Sequence, residues 1–326
     1  MDSFAGRLAV VTGGGTGMGR ELVLQLAAAG ASVALCDVND ETMAATVELA
    51  LAGAPAGTKV TAHLCDVADE EQVQAFAAAV VDQHGTDHIN LLFNNAGVGG
   101  GGSFLTGARE EWDRTFNICW GGVYNVARAF APLLVASDEG HLVNTSSVNG
   151  FWAALGPGIP HTAYSAAKFA VKGFTEALME DFRLNAPHVK VSVVMPGHIG
   201  TDIINNSRKI LARVEPGLDD DAAQVAAATQ MRETMAIRGV PTEGMTDEQL
   251  LGMMEMFGDM FREGAPMSAA TAATFILDSV KRGDWRILVG EDAVQLDQQV
   301  RADPWNVYGP NGLGLGSITG AAGLGE

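Results

Sequence analysis

The sequence predicts an α/β fold built on a doubly wound sheet of seven mostly parallel strands, and three observations carry that expectation. Short apolar runs rich in β-branched residues alternate with longer helical patterns, as strands buried on both faces by covering helices must. A glycine cluster, "TGGGTGMG", follows the first of these runs and opens a helix. The alternation is sustained over most of 326 residues, of which 47% are hydrophobic, enough to bury a sizeable core.

The first strand is "RLAVVT", followed by a helical pattern over 17–29. "SVALCD" and a helix over 41–52 come next, then "KVTAHLCD" with a helix over 70–83, then "INLLFNN". "HLVNTSS", "VKVSVVMPG" and "DWRILVG" supply the other three strands, with a helix through Tyr164 after the first of them and one over 268–281 before the last. Over 203–267 the rhythm stops, and helical patterns over 219–238 and 246–263 predict a helical insertion within a single domain spanning 1–326. The second pattern opens with "TDEQ", which suits a capping box. Leu250, Met253, Met254, Phe257, Met260 and Phe261 recur there at helical spacing. Such a stripe serves packing onto the body, or a mobile lid whose adaptable methionines line an apolar pocket, and a closed lid does both. Residues 311–326 are glycine-rich without sustained periodicity and read as a flexible or extended tail.

Composition removes several classes of function. The net charge is -19, from 39 acidic and 20 basic residues, which opposes nucleic acid and anionic lipid as partners. The opening "MDSFAGRLAVVTGGG" lacks the charged start and apolar stretch of a signal peptide, and no segment reads as a transmembrane span, so a cytoplasmic location is expected. Cys36, Cys65 and Cys119 are widely separated, odd in number and form no C-x-x-C, so neither disulfides nor zinc are expected. His84 and His88 in "HGTDH" read as a helix end leading into a strand, and no metal site is expected.

The glycine turn lies where a dinucleotide pyrophosphate rests on the free N–H groups of a helix start. Gly13, Gly17 and Gly19 give T-G-x-x-x-G-x-G, not G-x-G-x-x-G, and Thr16 and Met18 sit within the same turn. Asp37 ends the second strand, where a carboxylate accepts hydrogen bonds from the adenosine ribose and repels a 2'-phosphate. No Arg or Lys occupies 13–19 and Val38 follows the acid, so NAD is favoured over NADP. Asp66, followed by Val67, ends the third strand in the same way and is a candidate for the adenine amino group. Cys36 and Cys65, just before these acids, read as small buried hydrophobes. Farther on, Tyr164 and Lys168 are four apart at the start of a helix and therefore share one face.

Taken in order, "TGGGTGMG", "NNAG" at 94–97, "NTSS" at 144–147, "YSAAK" at 164–168 and "PGHIGT" at 196–201 closely resemble the short-chain dehydrogenase/reductase family, whose fold is the Rossmann fold. The resemblance covers residues 5–202, with 268–290 as a weaker continuation. It implies that Tyr164 is the general acid/base at the substrate oxygen, and that Lys168 lowers its pKa and holds the nicotinamide ribose. It implies further that Ser147 hydrogen-bonds the substrate oxygen and that Asn117 helps hold a water and Lys168 in a proton relay. A helix-kink residue with no catalytic part is the alternative for Asn117. Asn95 and Gly97 are implied on the adenosine side, and Pro196, Gly197, Ile199 and Thr201 in the turn that anchors the nicotinamide carboxamide.

Two departures bear on the substrate. The interval from Ser147 to Tyr164 is longer than the family's usual one, with the extra residues placed in "LGPGIPHT", and either Ser146 or Ser147 could face the substrate, with Ser147 favoured. The chain after the last strand also lacks the family's usual ending. The resulting expectation is an NAD-dependent enzyme interconverting a secondary alcohol and a ketone. Phe151, Trp152 and the stripe of the insertion suggest an apolar or aromatic substrate. A catalytically silent NAD-binding sensor is the alternative. The resemblance also implies a homo-oligomer, a dimer or tetramer, paired through the helix beginning near Cys119 and the one carrying Tyr164.

Overall fold

The computed structural model describes residues 1–211 and 241–314, with positions 225, 228, 229, 231, 232 and 235 between them. Seven strands form one sheet: β1 (Leu8–Thr12), β2 (Ser32–Asp37), β3 (Val60–Leu64), β4 (Leu91–Asn94), β5 (Gly140–Thr145), β6 (Val189–Pro196) and, at the far edge, β9 (Arg286–Val289). Their order is β3-β2-β1-β4-β5-β6-β9, and every pairing is parallel, so the sheet is wholly and not merely mostly parallel. The order reverses at β1, between β2 and β4, and a crevice opens at such a reversal.

Alternation along β1 explains the two layers. Ala9 and Val11 point to one core, shared with Leu22, Val23 and Leu26 of α1 (Gly17–Ala28) and Ile276 of α9 (Ala269–Arg282). Leu8 and Val10 point to the other, shared with Phe76 of α3 (Glu70–His84) and with Phe130 and Leu134 of α5 (Gly122–Val135). Strands sandwiched in this way have no polar face, hence the continuous apolar runs.

Helix ends follow their local chemistry. Asn39 caps α2 (Asp40–Gly53) and Asp69 caps α3, which stops at Gly85 in the left-handed conformation at φ 60°. The capping box at Thr246 and Gln249 forms as its spacing predicts and opens α8 (Asp247–Glu263). The expected helix over 219–238 lies outside the described residues, isolated positions apart. The helical run Arg109–Val135 is long and apolar enough to cross a bilayer, yet Val126, Phe130 and Leu134 bury its apolar face against the sheet.

One feature of the fold was not anticipated. After β9 the chain forms α10 (Glu291–Ala302) and then turns back, so that Val307 joins Val148, Trp152, Ala293 and Leu296 in a third apolar cluster. Residues 311–314 continue this packing, with Leu313 against the cluster and its N–H donating to Val307 O at 3.2 Å. Residues 315–326 lie outside the described chain.

Candidate active site

At the C-terminal end of β1 the chain makes a turn only glycine can make. Gly13 has φ +67°, and a Cβ there would stand 2.8 Å from the Cα of Ala96. A Cβ on Gly19 would come within 2.0 Å of Gly13 O. These contacts let the start of α1 sit directly against the chain after β4. Thr16 occupies the N-cap position but offers no side-chain cap to the first-turn amides, which leaves N–H groups at the positive helix end for an anion. Its hydroxyl instead accepts from Asn206 Nδ2 at 3.1 Å, tying the turn to α7 (Ile203–Leu211).

Asp37 faces this turn. One carboxylate oxygen accepts from Gly15 N at 2.9 Å and the other from Val38 N at 2.8 Å, leaving lone pairs on each for further donors. Burial raises its pKa above the usual carboxylate value, while the Gly15 and Val38 amides pull the other way. Arg20, next after the glycines, is directed inward: Nε and Nη2 donate to Gly15 O at 3.0 and 2.6 Å. A cleft of about 200 Å³ runs from here past Gly13, Thr16, Gly17, Met18 and Val38 to Asp66, Val67, Asn95 and Gly97, with Thr201 and Ile203 on its far lip.

At the opposite wall Asp66 pairs with Arg114, which also lines the cleft. Sequence reasoning expected Asp66 to end the third strand, which stops two residues earlier at Leu64, and missed its arginine, since nothing local joins residues 48 positions apart. It also missed Thr12, whose hydroxyl accepts from the N–H groups of Asn95 and Ala96, both at 3.0 Å. Asn95 Nδ2 returns a bond to Thr12 O at 3.1 Å, locking "NNAG" to the glycine turn.

The reacting end lies beyond Gly97. Tyr164 and Lys168 share one face of α6 (Thr162–Asn185), and the ammonium lies 5.5 Å from the phenol ring centroid. Lys168 is buried, and its Nζ donates to Thr145 O at 2.9 Å. A Cβ on Gly97 would stand 3.5 Å from that nitrogen, which places Lys168 directly beside the cleft lining. Burial lowers the pKa of Lys168. It drives that of Tyr164 well above the phenol range, while a hydrogen bond with Ser147 opposes the rise.

The two serines divide. Ser146 Oγ donates to Lys168 O at 2.7 Å and is consumed in holding β5 to α6. Ser147 faces Tyr164, and its Oγ accepts from Asn149 N at 3.1 Å. Beneath them Asn94, Asn144 and Thr175 form a buried chain of side-chain bonds of 2.8 and 3.0 Å that fixes β4, β5 and α6 relative to one another. Cys119 lies in the same wall, its thiol donating to Val98 O at 3.1 Å.

The Asn117 side chain is exposed, and among the described residues no direct hydrogen bond joins it to Lys168. It opens a π-helical turn, Asn117–Gly121, between α4 (Arg109–Phe116) and α5, and its carbonyl accepts from Gly122 N. Position 117 is thus a kink in a long helix, and kinks of this kind have an identifiable extra residue in the ladder.

The turn after β6 carries Pro196, Gly197, Ile199 and Thr201. Ile199 and Gly200 form β7, paired in parallel with β8 (Met267–Ser268). Gly197 is pressed against Asp292 of α10, where a Cβ would meet the carboxylate at 2.2 Å. His198 stacks on Phe261 at 4.1 Å and its Nε2 lies 2.7 Å from Phe261 O, which ties this turn to α8. Of the apolar stripe on α8, Leu250 is buried, Met253, Met254 and Phe261 are half-buried, and Phe257 and Met260 are exposed. Trp152 corrects the sequence reading: it is fully buried in the third cluster, with its indole N–H donating to Val307 O at 3.2 Å, and lines no substrate pocket. Phe151 lies half-buried under the Arg286 guanidinium.

A Rossmann sheet with a glycine turn at its reversal point and a Tyr-Lys-Ser cluster whose lysine adjoins Gly97 of the cleft defines a nicotinamide-dependent oxidoreductase class. The family described as short chain dehydrogenase matches residues 7–211, and the chain belongs to that family, whose members are dehydrogenases and reductases acting on small molecules. It is 35% identical over 302 residues to SadH of Mycobacterium tuberculosis, covering 92% of each chain. A short-chain dehydrogenase/reductase from Burkholderia phymatum, solved in complex with NAD, aligns with TM-score 0.72 and 27% identity over 95% of this chain and 98% of that one. A metagenomic short-chain oxidoreductase in complex with NADP aligns with TM-score 0.52 and 32% identity over 69% and 90%.

Proposed function

We propose that this protein is an NAD-dependent dehydrogenase that interconverts a secondary alcohol and a ketone. The observation that carries the reading is the contact of Tyr164 with Ser147, four residues from the buried Lys168 whose ammonium adjoins Gly97 of the cleft that Asp37 also lines. The residues present fit a nicotinamide dinucleotide. The side-chain-free turn at Gly13 and Gly19, the uncapped amides at Thr16 and the Asp37 carboxylate offer donors to phosphate and acceptors to ribose. Asp66, Val67, Asn95 and Gly97 extend the adenosine side, and Pro196, Gly197, Ile199 and Thr201 the nicotinamide side. Bound there, the cofactor supplies the acceptor or donor of hydride.

The protein supplies the proton and the orientation. Tyr164, protonated in its own environment, donates a proton to a ketone oxygen during reduction, and the phenolate takes it back during oxidation. The Lys168 ammonium beside the ring favours the phenolate form. Ser147 Oγ holds the substrate oxygen at Tyr164 in both directions. Asn117 contributes through its carbonyl, which accepts from Gly122 N and sets where α5 begins.

Support for NAD over NADP comes from Asp37 at the ribose position, and from Arg20 being turned to Gly15 O and away from any 2'-phosphate. Residues 203–267 act as the lid, and the exposed Phe257 and Met260 of α8 supply an apolar face for it. Pairing of two copies through α5 and α6 is supported by the aromatic group of Trp120 in the preceding π turn, Tyr124 on α5 and Phe174 on α6, with Tyr124 47% exposed. A cytoplasmic location completes the reading.

The test mixes purified protein with NAD+ or NADP+ and a panel of aliphatic, benzylic and polycyclic secondary alcohols, with Tyr164→Phe as control. Turnover with NAD+ is expected, falling by about a thousandfold in the variant. Equal or better turnover with NADP+ would overturn the role given to Asp37. Turnover by Tyr164→Phe at the wild-type rate would overturn the mechanism.

A further inference from the structure

His161, immediately before α6, is a polar side chain beside Tyr164 that the mechanism above does not use. Its ring stacks on Tyr164, with centroids 4.7 Å apart and planes inclined by 32°. The backbone around it is pinned. Thr162 N donates to Gly102 O at 3.0 Å, the Thr162 hydroxyl lies 3.0 Å from the same oxygen, and Trp112 Nε1 donates to Thr162 Oγ1 at 3.1 Å. His161 O accepts from Ser165 N at 3.1 Å. The imidazole takes no part in this: although it holds the N-cap position of α6 it caps nothing, and neither ring nitrogen has a hydrogen-bond partner among the described residues. Both nitrogens therefore stand unspent on a rigid support, beside the phenol that meets the substrate oxygen.

We propose that His161 binds a second oxygen of the substrate, carried on the carbon next to the carbinol centre, and that the preferred substrates are vicinal diols or hydroxyketones with an apolar body. The inference rests on the reading of Tyr164 as the proton-transfer residue. The imidazole is half-buried, and neither ring nitrogen is sealed from solvent, so a ligand oxygen can take the place of water at either one. Burial also lowers the His161 pKa to about 4, so at neutral pH the ring offers one N–H donor and one lone pair. Those are the partners a hydroxyl or carbonyl oxygen takes, with no fixed charge to demand a carboxylate. The stack keeps the two rings 4.7 Å apart, a separation that oxygens on adjacent carbons of one substrate can bridge.

The experiment compares kcat/KM for matched pairs, cyclohexanol with vicinal cyclohexanediol and phenylethanol with phenylethanediol, in the wild type, His161→Phe and His161→Gln. Phenylalanine keeps a ring against Tyr164 and removes both nitrogens, while glutamine restores a donor and an acceptor; thermal melting confirms that each variant is folded. The wild type is expected to favour the diol by about tenfold or more, as one hydrogen bond to a neutral group warrants. That ratio is expected to collapse in His161→Phe and to return in part in His161→Gln. A wild type that turns over both members of each pair equally, or a diol preference that survives in His161→Phe, overturns the proposal and leaves His161 a packing residue. Failure of the underlying reading is distinguishable: the wild type itself would then turn over no alcohol and no ketone, and the role of His161 would fall with it.

Discussion

Asp292 Oδ2 accepts a hydrogen bond of 2.6 Å from the backbone N–H of His198, joining the first turn of α10 to the loop after β6. The carboxylate is buried and abuts Gly197, so it fixes the path of the turn proposed to hold the nicotinamide end of the cofactor. A charge-accepted bond of this kind contributes about 1.5–3 kcal/mol. Asp292→Ala is therefore expected to weaken NADH binding by about tenfold or more and to lower the melting temperature by several degrees. Fluorescence titration of NADH checks the first effect. Wild-type affinity in a folded variant would show that the turn is held by β7 and β8 alone.

The division of labour between Ser146 and Ser147 predicts opposite signatures. Ser147→Ala removes the hydroxyl that faces Tyr164 and is expected to lower kcat by about a hundredfold with little change in stability. Ser146→Ala removes the bond to Lys168 O and is expected to cost about 1 kcal/mol of stability with a smaller loss of kcat. Denaturant unfolding and steady-state kinetics on both variants separate the two, and an exchange of these outcomes would mean that Ser146 faces the substrate.

The readable and unreadable parts of this protein divide by distance along the chain. The glycine turn, the acids at the end of β2 and just past β3, and the Tyr164 and Lys168 pair announce themselves within a few residues, because backbone conformation and helix face are local properties. Asp292 and His198 lie 94 positions apart, and Arg114 meets Asp66 across 48. No periodicity or motif encodes such a pairing. Trp152 shows the cost of reading proximity in sequence as proximity to the site. It follows Ser147 by five positions, yet its indole is claimed by Val307, 155 positions later. Asn117 was placed by resemblance, and the structure adds what resemblance could not, that its segment is a π turn whose first side chain is exposed.

The attachment of α8 to the cofactor side predicts a small, specific effect. Arg262 pairs with Asp202, next to Thr201, and reaches Asp259 at 3.1 Å and Glu263 at 3.3 Å. All four side chains are substantially exposed, and ion pairs in such surroundings are screened by water and salt. Arg262→Ala is expected to raise KM for substrate and cofactor by less than about fivefold, with kcat nearly unchanged, and the difference should shrink at high salt. A loss of kcat as large as that expected for Ser147→Ala would instead place the pair in the closure of the site during turnover.

His141 gives the protein a defined sensitivity to acid. Its Nε2 lies 2.6 Å from Ser192 Oγ, and that hydroxyl donates its own proton to Asp284 O at 2.7 Å, so Nε2 must be the donor in the first bond. The other nitrogen, Nδ1, is buried with no hydrogen-bond partner, and a second proton there would be an unpaired charge in the core. Burial accordingly lowers the pKa to about 3, from an ordinary 6.5. With the folded value below the unfolded one, the unfolded chain binds the proton first, and stability falls as pH drops below about 6.5 and continues to fall toward the folded value. The slope from this residue alone approaches about 1.4 kcal/mol per pH unit through that window. Chemical denaturation at pH 7, 6 and 5 should show the decline, and His141→Gln, which keeps a side-chain donor for Ser192 without a titrating ring, should flatten it. An unchanged slope in that variant would assign the acid sensitivity to other groups.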